Sequence, residues 1–242
     1  MERLLDEHLE KLKTRVIKMC SLVDEQVQNA IKSVEEDNLE LAQSVIDRDK
    51  KVNKYDVKID KICQRIFALA QPVAMDLRYI MSSLTINSNL ERVGDIAVNI
   101  AENVLLVKKK PEFYHDTKID EMFNLTKRML KNAIDAFIGG NPELAKEVIL
   151  TDDIVDKLNA ENHYILKSIM KQDPDNIEGA VALLVISREL ERLADHSTNI
   201  AEDVFFIVEA QMIKHKYEKF IFDDEENDVD TEADDALDKS KS

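Results

Sequence analysis

The residues best suited to chemistry in this sequence are acidic side chains that recur with helical spacing. Glu91 is followed by Asp95 and Glu191 by Asp195, each pair within a Glu-Arg-x-x-Asp motif. Glu and Asp four residues apart share one face of a helix, with Cβ atoms about 5 to 6 Å apart. Two like charges at that separation are unfavourable unless they share a cation. The motifs therefore predict either cation sites or ordinary ion-paired carboxylates, since Arg92 and Arg192 are adjacent in sequence.

Acidic residues also interrupt the apolar faces of the helical segments that precede the two motifs. Asp49 and Asp56 lie on the otherwise apolar face of the second helical segment, and Asp152 lies at the equivalent place on the fifth. Polar groups on a packing face need a partner. If the chain reverses near residue 72, residues equidistant from the turn face each other, which places Asp49 level with Asp95.

A second reversal near residue 174 gives the same result in the other half of the chain. Asp152, Asp153 and Asp156 then surround the level of Glu191 and Asp195. Oxygen-rich groups of this kind suit hard divalent cations or iron. One ion, or a small cluster with metals roughly 3.5 to 4 Å apart, would fit each of them.

The predicted metal ligands therefore form two equivalent sets, each completed by an asparagine eight residues after the glutamate. They are Asp49, Asp56, Glu91, Asp95 and Asn99 in the first half, and Asp152, Asp156, Glu191, Asp195 and Asn199 in the second. Divalent or transition metals are expected, with a multinuclear iron cluster in each repeat as one form. The competing interpretation is ion pairing, for which Arg48 on the neighbouring helix is a further candidate.

The remaining chemistry-bearing residues predict no catalytic centre. The five histidines form neither HExxH nor a Glu-x-x-His pair, so the ferritin-like di-iron pattern is absent. His196 follows Asp195 but points about 100° away around the helix, and it is interpreted as an ordinary helix residue. There is no P-loop, GxGxxG, nucleophile elbow or kinase signature.

The elements that must position these residues are long helices. The chain has 242 residues, of which 44% are hydrophobic and 34% charged, with only four Gly and four Pro. That is too few turn formers for a many-stranded sandwich or barrel. The breakers and caps predict six helices, at roughly residues 2–36, 38–70, 74–109, 116–138, 142–171 and 175–221.

The two halves of the chain resemble each other. Residues 38–49 match 141–152 at seven of twelve positions, and 90–103 match 190–203 at eight of fourteen. Helices joined by short loops pack antiparallel, and three of them close a bundle. The predicted fold is therefore all-α, with two tandem three-helix bundles at residues 1–112 and 113–222.

Residues 223–242 differ from the rest of the chain. They contain ten acidic residues against Lys239 and Lys241, with almost no apolar side chains. Such a run is expected to be disordered, and a solvated tail with no specific role is the preferred interpretation.

The net charge of the chain and the length of its apolar runs restrict the protein's location and its binding partners. A formal charge of −16 with no basic run longer than Lys108–Lys110 argues against nucleic-acid binding. No secretory signal is visible at the amino terminus, and the longest apolar run, 180–186, is far too short to span a membrane. A cytoplasmic location is expected, with Cys20 and Cys63 as reduced packing residues.

The sequence resembles the PhoU family, the accessory and regulatory proteins of bacterial phosphate uptake. The resemblance covers about residues 1–220 and rests on the two Glu-Arg-x-x-Asp motifs together with Gln71-Pro72-Val73-Ala74-Met75-Asp76-Leu77-Arg78, which is similar to the family's turn after the second helix. In the second repeat, Ile177-Glu178-Gly179 replaces Asp76-Leu77-Arg78. The two repeats are therefore not expected to be functionally identical.

The resemblance implies a non-enzymatic, metal-binding negative regulator that restrains phosphate import. Its implied partners are the ATPase of the phosphate ABC transporter and the phosphate-sensing histidine kinase, with membrane association only through those partners. Self-association, with a dimer favoured, is also expected. The alternatives are a carboxylate-bridged metal enzyme on a helix bundle and a structural helical adaptor without metal.

Four apolar residues near the first hairpin turn, Met75, Leu77, Tyr79 and Ile80, are interpreted as part of an apolar stripe that faces the core rather than as a docking patch.

Overall fold

A computed structural model describes residues 2–210. Six long helices follow one another, with two short 3₁₀ helices between them and no strand among the described residues. They are α1 (Glu2–Glu35), α2 (Leu39–Leu69), α3 (Ala74–Val107), the 3₁₀ helix Glu112–Asp116, α4 (Ile119–Gly139), α5 (Pro142–Gln172), the 3₁₀ helix Pro174–Asn176, and α6 (Ile177–Glu209). The predicted end of the sixth helix at residue 221, the end of the second bundle at 222 and the acidic tail 223–242 lie outside the described residues.

The helix ends follow the capping residues in the sequence. Asn38 and Asn141 accept hydrogen bonds from the third residue beyond them, Leu41 N at 2.9 Å and Leu144 N at 3.2 Å, and so cap α2 and α5. Gly140 ends α4 in the left-handed conformation that favours glycine, with φ of 60°.

Two predicted helix starts are wrong. The fourth helix was expected from residue 116, but the preceding residues form a separate 3₁₀ turn and α4 begins at Ile119. The sixth was expected from residue 175, but Asp173 caps the short 3₁₀ helix instead, accepting from Asp175 N at 3.0 Å. Before α6, a local 3₁₀ turn takes the residues that Asp173 and Pro174 would otherwise assign to the α-helix. The start of α4 has no side-chain cap to fix it.

The predicted apolar stripes form the core. The sequence of the fourth helix carries a stripe at helical spacing, and all six of its residues are buried: Ile119, Phe123, Thr126, Leu130, Ala133 and Phe137. The stripe of α1 is buried likewise at Leu12, Val16, Met19 and Val23. The seam of α2 is buried at every apolar position, with Asp49 and Asp56 half-buried between them. Cys20 and Cys63 are free buried thiols, and burial raises the pKa of both to about 12.

Helices α1–α3 and α4–α6 form two three-helix groups, in agreement with the predicted fold class. The groups meet along α3 and α6. The two helices run antiparallel, because the later residue of α3 contacts the earlier residue of α6 in the two hydrogen bonds between them. Asn99 Nδ2 on α3 donates to Glu189 Oε2 on α6 at 3.1 Å, and His196 Nδ1 lies 2.9 Å from Asn89 Oδ1. His196 therefore links the two groups, a role that its sequence position did not indicate. The division into domains at residues 112 and 113 stays a prediction.

No helix within residues 2–210 has the length and apolar content needed to cross a bilayer.

Candidate metal centre

The first carboxylate cluster forms where α2 and α3 approach closely at Gly94. A Cβ added to Gly94 would lie 3.0 Å from Val52 Cγ1 and 3.7 Å from Asp49 Oδ1. Because Gly94 immediately precedes Asp95, this approach places Asp49 beside the Glu-Arg-x-x-Asp motif. Burial, and then the negative charge of Asp95, raise the pKa of Asp49.

Glu91 and Asp56 belong to the same cluster. Burial raises the pKa of Glu91, and the charges of Asp95, Asp56 and Asp49 raise it further, while Arg92 lowers it. Asp56 is half-buried and accepts a hydrogen bond from Asn87 Nδ2 at 2.6 Å. The four predicted carboxylates of the first repeat are therefore close electrostatic neighbours.

The second cluster repeats this arrangement between α5 and α6. Burial, followed by the charges of Asp195 and Asp156, raises the pKa of Asp152 to about 7. Burial, Glu191 and Asp156 raise the pKa of Asp195. Asp152 on α5 therefore lies near Asp195 on α6, as the hairpin geometry predicts. The carboxylates of this cluster repel one another unless a proton or a cation lies between them.

One carboxylate oxygen in each cluster is buried without a hydrogen-bond partner. These atoms are Oδ1 of Asp49 and Oδ1 of Asp152, which occupy equivalent positions in the two repeats. Gln26 lies close enough to Asp49 to lower its pKa, and Thr198 does the same for Asp152. The buried side-chain polar atoms of Gln26 and Thr198 nevertheless have no hydrogen-bond partner of their own. Unsatisfied buried polar groups are costly, so their recurrence at the same place in both repeats requires an explanation.

The arginines of the two motifs behave differently. Arg92 lies 3.2 Å from Asp95 and 3.5 Å from Glu91, so the ion-pair interpretation holds in the first repeat, although the arginine is largely exposed and the pairs are weak. Arg192 instead pairs with Glu189 at 3.0 Å. No arginine within the described residues pairs with Glu191 or Asp195.

The two asparagines of the predicted ligand sets do not join the clusters. The amide nitrogen of Asn99 donates to Glu189 across the interface between the helix groups, as described above. Asn199 is half-buried and makes no hydrogen bond to the second cluster. Among residues 2–210, no three His, Cys, Asp or Glu side chains already converge on one point as a metal ion would require. The carboxylates are assembled as neighbours rather than as a preformed coordination sphere.

A buried polar network that the sequence pattern does not reveal lies beside the second cluster. Asn162 is fully buried on α5, and its Oδ1 accepts from Lys118 N at 2.7 Å, while its Nδ2 donates to Ser187 Oγ at 3.0 Å. Ser187 in turn donates to Asn159 Oδ1 at 2.8 Å. Asn159 and Asn162 interrupt the apolar face of α5 at helical spacing, but their partners, Lys118 before α4 and Ser187 on α6, carry no sequence signal.

Comparison with known proteins places both helix groups in one family. A family model described as the PhoU domain matches residues 16–104 and again residues 119–204. The two matches coincide with the two sequence repeats and contain both carboxylate clusters.

Relatives match over nearly their whole length. The chain is 39% identical over 215 residues to the phosphate-specific transport system accessory protein PhoU homolog of Aquifex aeolicus, covering 89% of this chain and 97% of that protein. It is 31% identical to the Escherichia coli phosphate-specific transport system accessory protein PhoU, covering 86% of each. The crystal structure of PhoU from Pseudomonas aeruginosa superposes with a TM-score of 0.82 at 31% identity, covering 85% of this chain and 99% of that one.

Proposed function

Because this chain belongs to the PhoU family, we propose that it is a non-enzymatic regulator of phosphate uptake. It acts in the cytoplasm, restrains the phosphate ABC transporter and holds the phosphate-starvation response off when phosphate is plentiful. The observation that carries the proposal is the double PhoU-domain match across residues 16–104 and 119–204, supported by relatives named as accessory proteins of the phosphate-specific transport system.

A deletion strain tests this role. Loss of the protein should raise phosphate uptake and switch on starvation genes in phosphate-rich medium, and the full chain supplied in trans should reverse both. Normal uptake together with normal starvation-gene expression in the deletion strain would refute the proposal.

The proposed partners are the transporter ATPase and the phosphate-sensing histidine kinase. The relatives' names support a transport-system partner, and the long helical faces offer the area that such contacts need. The protein acts as a homo-oligomer, with a dimer favoured. Sedimentation of the purified chain, alone and with each partner's cytoplasmic part, measures both properties directly.

The two carboxylate clusters are proposed to bind metal. The fit rests on the buried, unpartnered Oδ1 atoms of Asp49 and Asp152, because a cation would supply the missing partner at both. Asp49, Asp56, Glu91 and Asp95 would hold the ion in the first repeat, and Asp152, Asp156, Glu191 and Asp195 in the second. All are hard oxygen donors, which suit divalent cations and iron. When bound, the metal would supply positive charge that offsets the repulsion within each cluster.

Elemental analysis of protein purified without an affinity tag tests the metal proposal. We expect near-stoichiometric divalent or transition metal in the wild type, and its loss in the double variant Asp95→Ala, Asp195→Ala. Glu161→Gln, an exposed change on α5, is the matched control and should retain the metal. A wild type that stays metal-free after reconstitution with iron or manganese would instead support a structural adaptor.

A further inference from the structure

The turn between α2 and α3 exposes five large apolar side chains within twelve residues. We define the α2–α3 tip as residues 67–78. Five of its side chains are exposed, with Val73 at 69% and Met75 at 66% of their full accessible area; the others are Phe67, Leu69 and Leu77. Single exposed apolar residues are ordinary on a protein surface, whereas five of them at one turn are the composition of a contact site.

The sequence expectation for this region is therefore only half right. Ile80 is buried, and the ring of Tyr79 stacks on Phe137 of α4 with centroids 6.0 Å apart, so both serve the core and the contact between the helix groups. Met75 and Leu77 instead face solvent. The interpretation of all four as core stripe is wrong for these two, because the helix emerges from its neighbours in its first turn.

The equivalent turn of the second repeat lacks this character. Between α5 and α6 the chain reads Asp173-Pro174-Asp175-Asn176, and Ile177 is the one large apolar side chain exposed there among residues 173–180. A three-helix group can therefore make this turn with polar residues. The apolar side chains of the α2–α3 tip are not needed for the fold.

The charges at the tip indicate what would cover it. Arg78 is half-buried and makes no ion pair with any described residue. Arg65, exposed on the last turns of α2, also makes no ion pair within residues 2–210. An arginine beside exposed Met and aromatic side chains has the composition of an interface centre, and it calls for a carboxylate on the other side.

The backbone holds the tip in a strained shape. Ala74 has φ of 46°, a conformation that residues with a Cβ rarely adopt. Such strain persists only where the surrounding structure imposes it, and it concentrates at functional sites. Ala74 is the first residue of α3, so the strain lies within the tip itself.

We infer that the α2–α3 tip is the docking element of this protein, and that it inserts into an apolar groove of a protein partner whose rim carries carboxylates. This inference rests on the proposed function, which makes the partner the ATPase of the phosphate transporter, in line with the relatives' description as transport-system accessory proteins.

Two other occupants fit the charges less well. In a symmetric contact with a second copy the same surface faces itself, which brings the arginines of one tip towards those of the other. A lipid surface would have to take in Asp76, which lies between Met75 and Leu77, and anionic lipid would repel a chain of formal charge −16.

The test measures binding of the full chain to the purified transporter ATPase of the same organism by calorimetry. The tip variant is Val73→Ser with Met75→Ser, and Arg78→Glu tests the charge. The matched controls are Ile177→Ser at the second turn and Leu106→Ser, whose side chain is 78% exposed near the end of α3. Thermal melting checks that every variant folds, which is expected because each apolar residue changed is already largely exposed.

We expect the tip variant to bind at least about 30-fold more weakly, since two large side chains lose their burial in the complex. Arg78→Glu should weaken binding about 10-fold or more and reduce its salt dependence. The controls should stay within about twofold of the wild type.

The outcomes separate the inference from the function on which it rests. Wild-type affinity in the tip variant and in Arg78→Glu would overturn the inference and leave the proposed partner intact. Absence of ATPase binding by the wild type would overturn the partner proposal and the inference together. Tip-dependent self-association, or tip-dependent binding to phosphatidylethanolamine–phosphatidylglycerol vesicles without ATPase binding, would likewise overturn the inference in favour of a second copy or a lipid surface.

Discussion

Asp152 allows the carboxylate clusters to be tested through protein stability. Its pKa rises from 3.8 to about 7 on folding, first through burial and then through the charges of Asp195 and Asp156. We predict that Asp152→Asn stabilises the chelator-treated, metal-free protein at about pH 8 and has little effect near pH 4. The amide keeps the shape of the carboxyl group and removes the charge.

The sign follows from proton binding. The folded-state pKa lies above the unfolded one, so between about pH 4 and pH 7 the folded protein holds more protons than the unfolded chain. The stabilising contribution is complete below the unfolded pKa and is lost as the pH rises through the folded pKa near 7. Above that pH the wild type carries the full cost of a buried, repelled carboxylate, which the variant avoids.

The magnitude follows from the shift. A difference of about 3 pH units corresponds to about 4 kcal/mol at 1.36 kcal/mol per unit. The side chain is partly exposed, so solvent screening reduces this to about 2 kcal/mol. For a domain of this size, that raises the melting temperature by roughly 4 to 8 °C.

The assay is thermal unfolding at the two pH values, with Glu161→Gln on the same helix as an exposed control. Adding metal should reverse the order at about pH 8, because a cation bound by the native carboxylates stabilises the wild type and not the variant. Equal melting temperatures for wild type and variant at about pH 8, or the same shift at both pH values, would refute the reasoning.

The other predictions concern packing and polar partners. Asp49→Asn should stabilise the metal-free protein in the same direction, since burial and Asp95 raise the pKa of Asp49, and a destabilised variant at about pH 8 would contradict this. Gly94→Ala should lower the free energy of unfolding by about 1 to 3 kcal/mol in urea titration, because the new Cβ meets Val52 at 3.0 Å, whereas Gly139→Ala, with nothing within 4 Å, should leave it unchanged or raise it. Asn162→Ala should cost about 1 to 3 kcal/mol in the same titration, because it leaves the backbone N–H of Lys118 without a partner and removes one hydrogen bond to Ser187, whose hydroxyl keeps its bond to Asn159; a loss below about 1 kcal/mol would show that the network is dispensable.

Much of the fold could be predicted because helices leave local signals. Asn38 and Asn141 cap helices where an Asn precedes an apolar period, and the α4 stripe is buried throughout because its spacing matches the helical turn. The facing of Asp49 and Asp95 also followed from sequence, since a short hairpin fixes which residues are level. The start of α4 did not follow, because no side chain caps it at Lys118, and the residues before it form a 3₁₀ turn instead.

The sequence by itself determined the helix count, the internal repeat and the carboxylates that share a face, since each depends on spacing along one or two adjacent helices. Only the tertiary structure decided which polar atoms lack partners, as with Oδ1 of Asp49 and Asp152, and which apolar side chains remain uncovered, as with Met75. The physical reason is that burial and hydrogen bonding depend on every neighbouring element at once. A residue's type and period fix the face on which it lies, whereas its environment depends on segments distant in the chain, as the contacts of Asn99 and His196 across the two helix groups show.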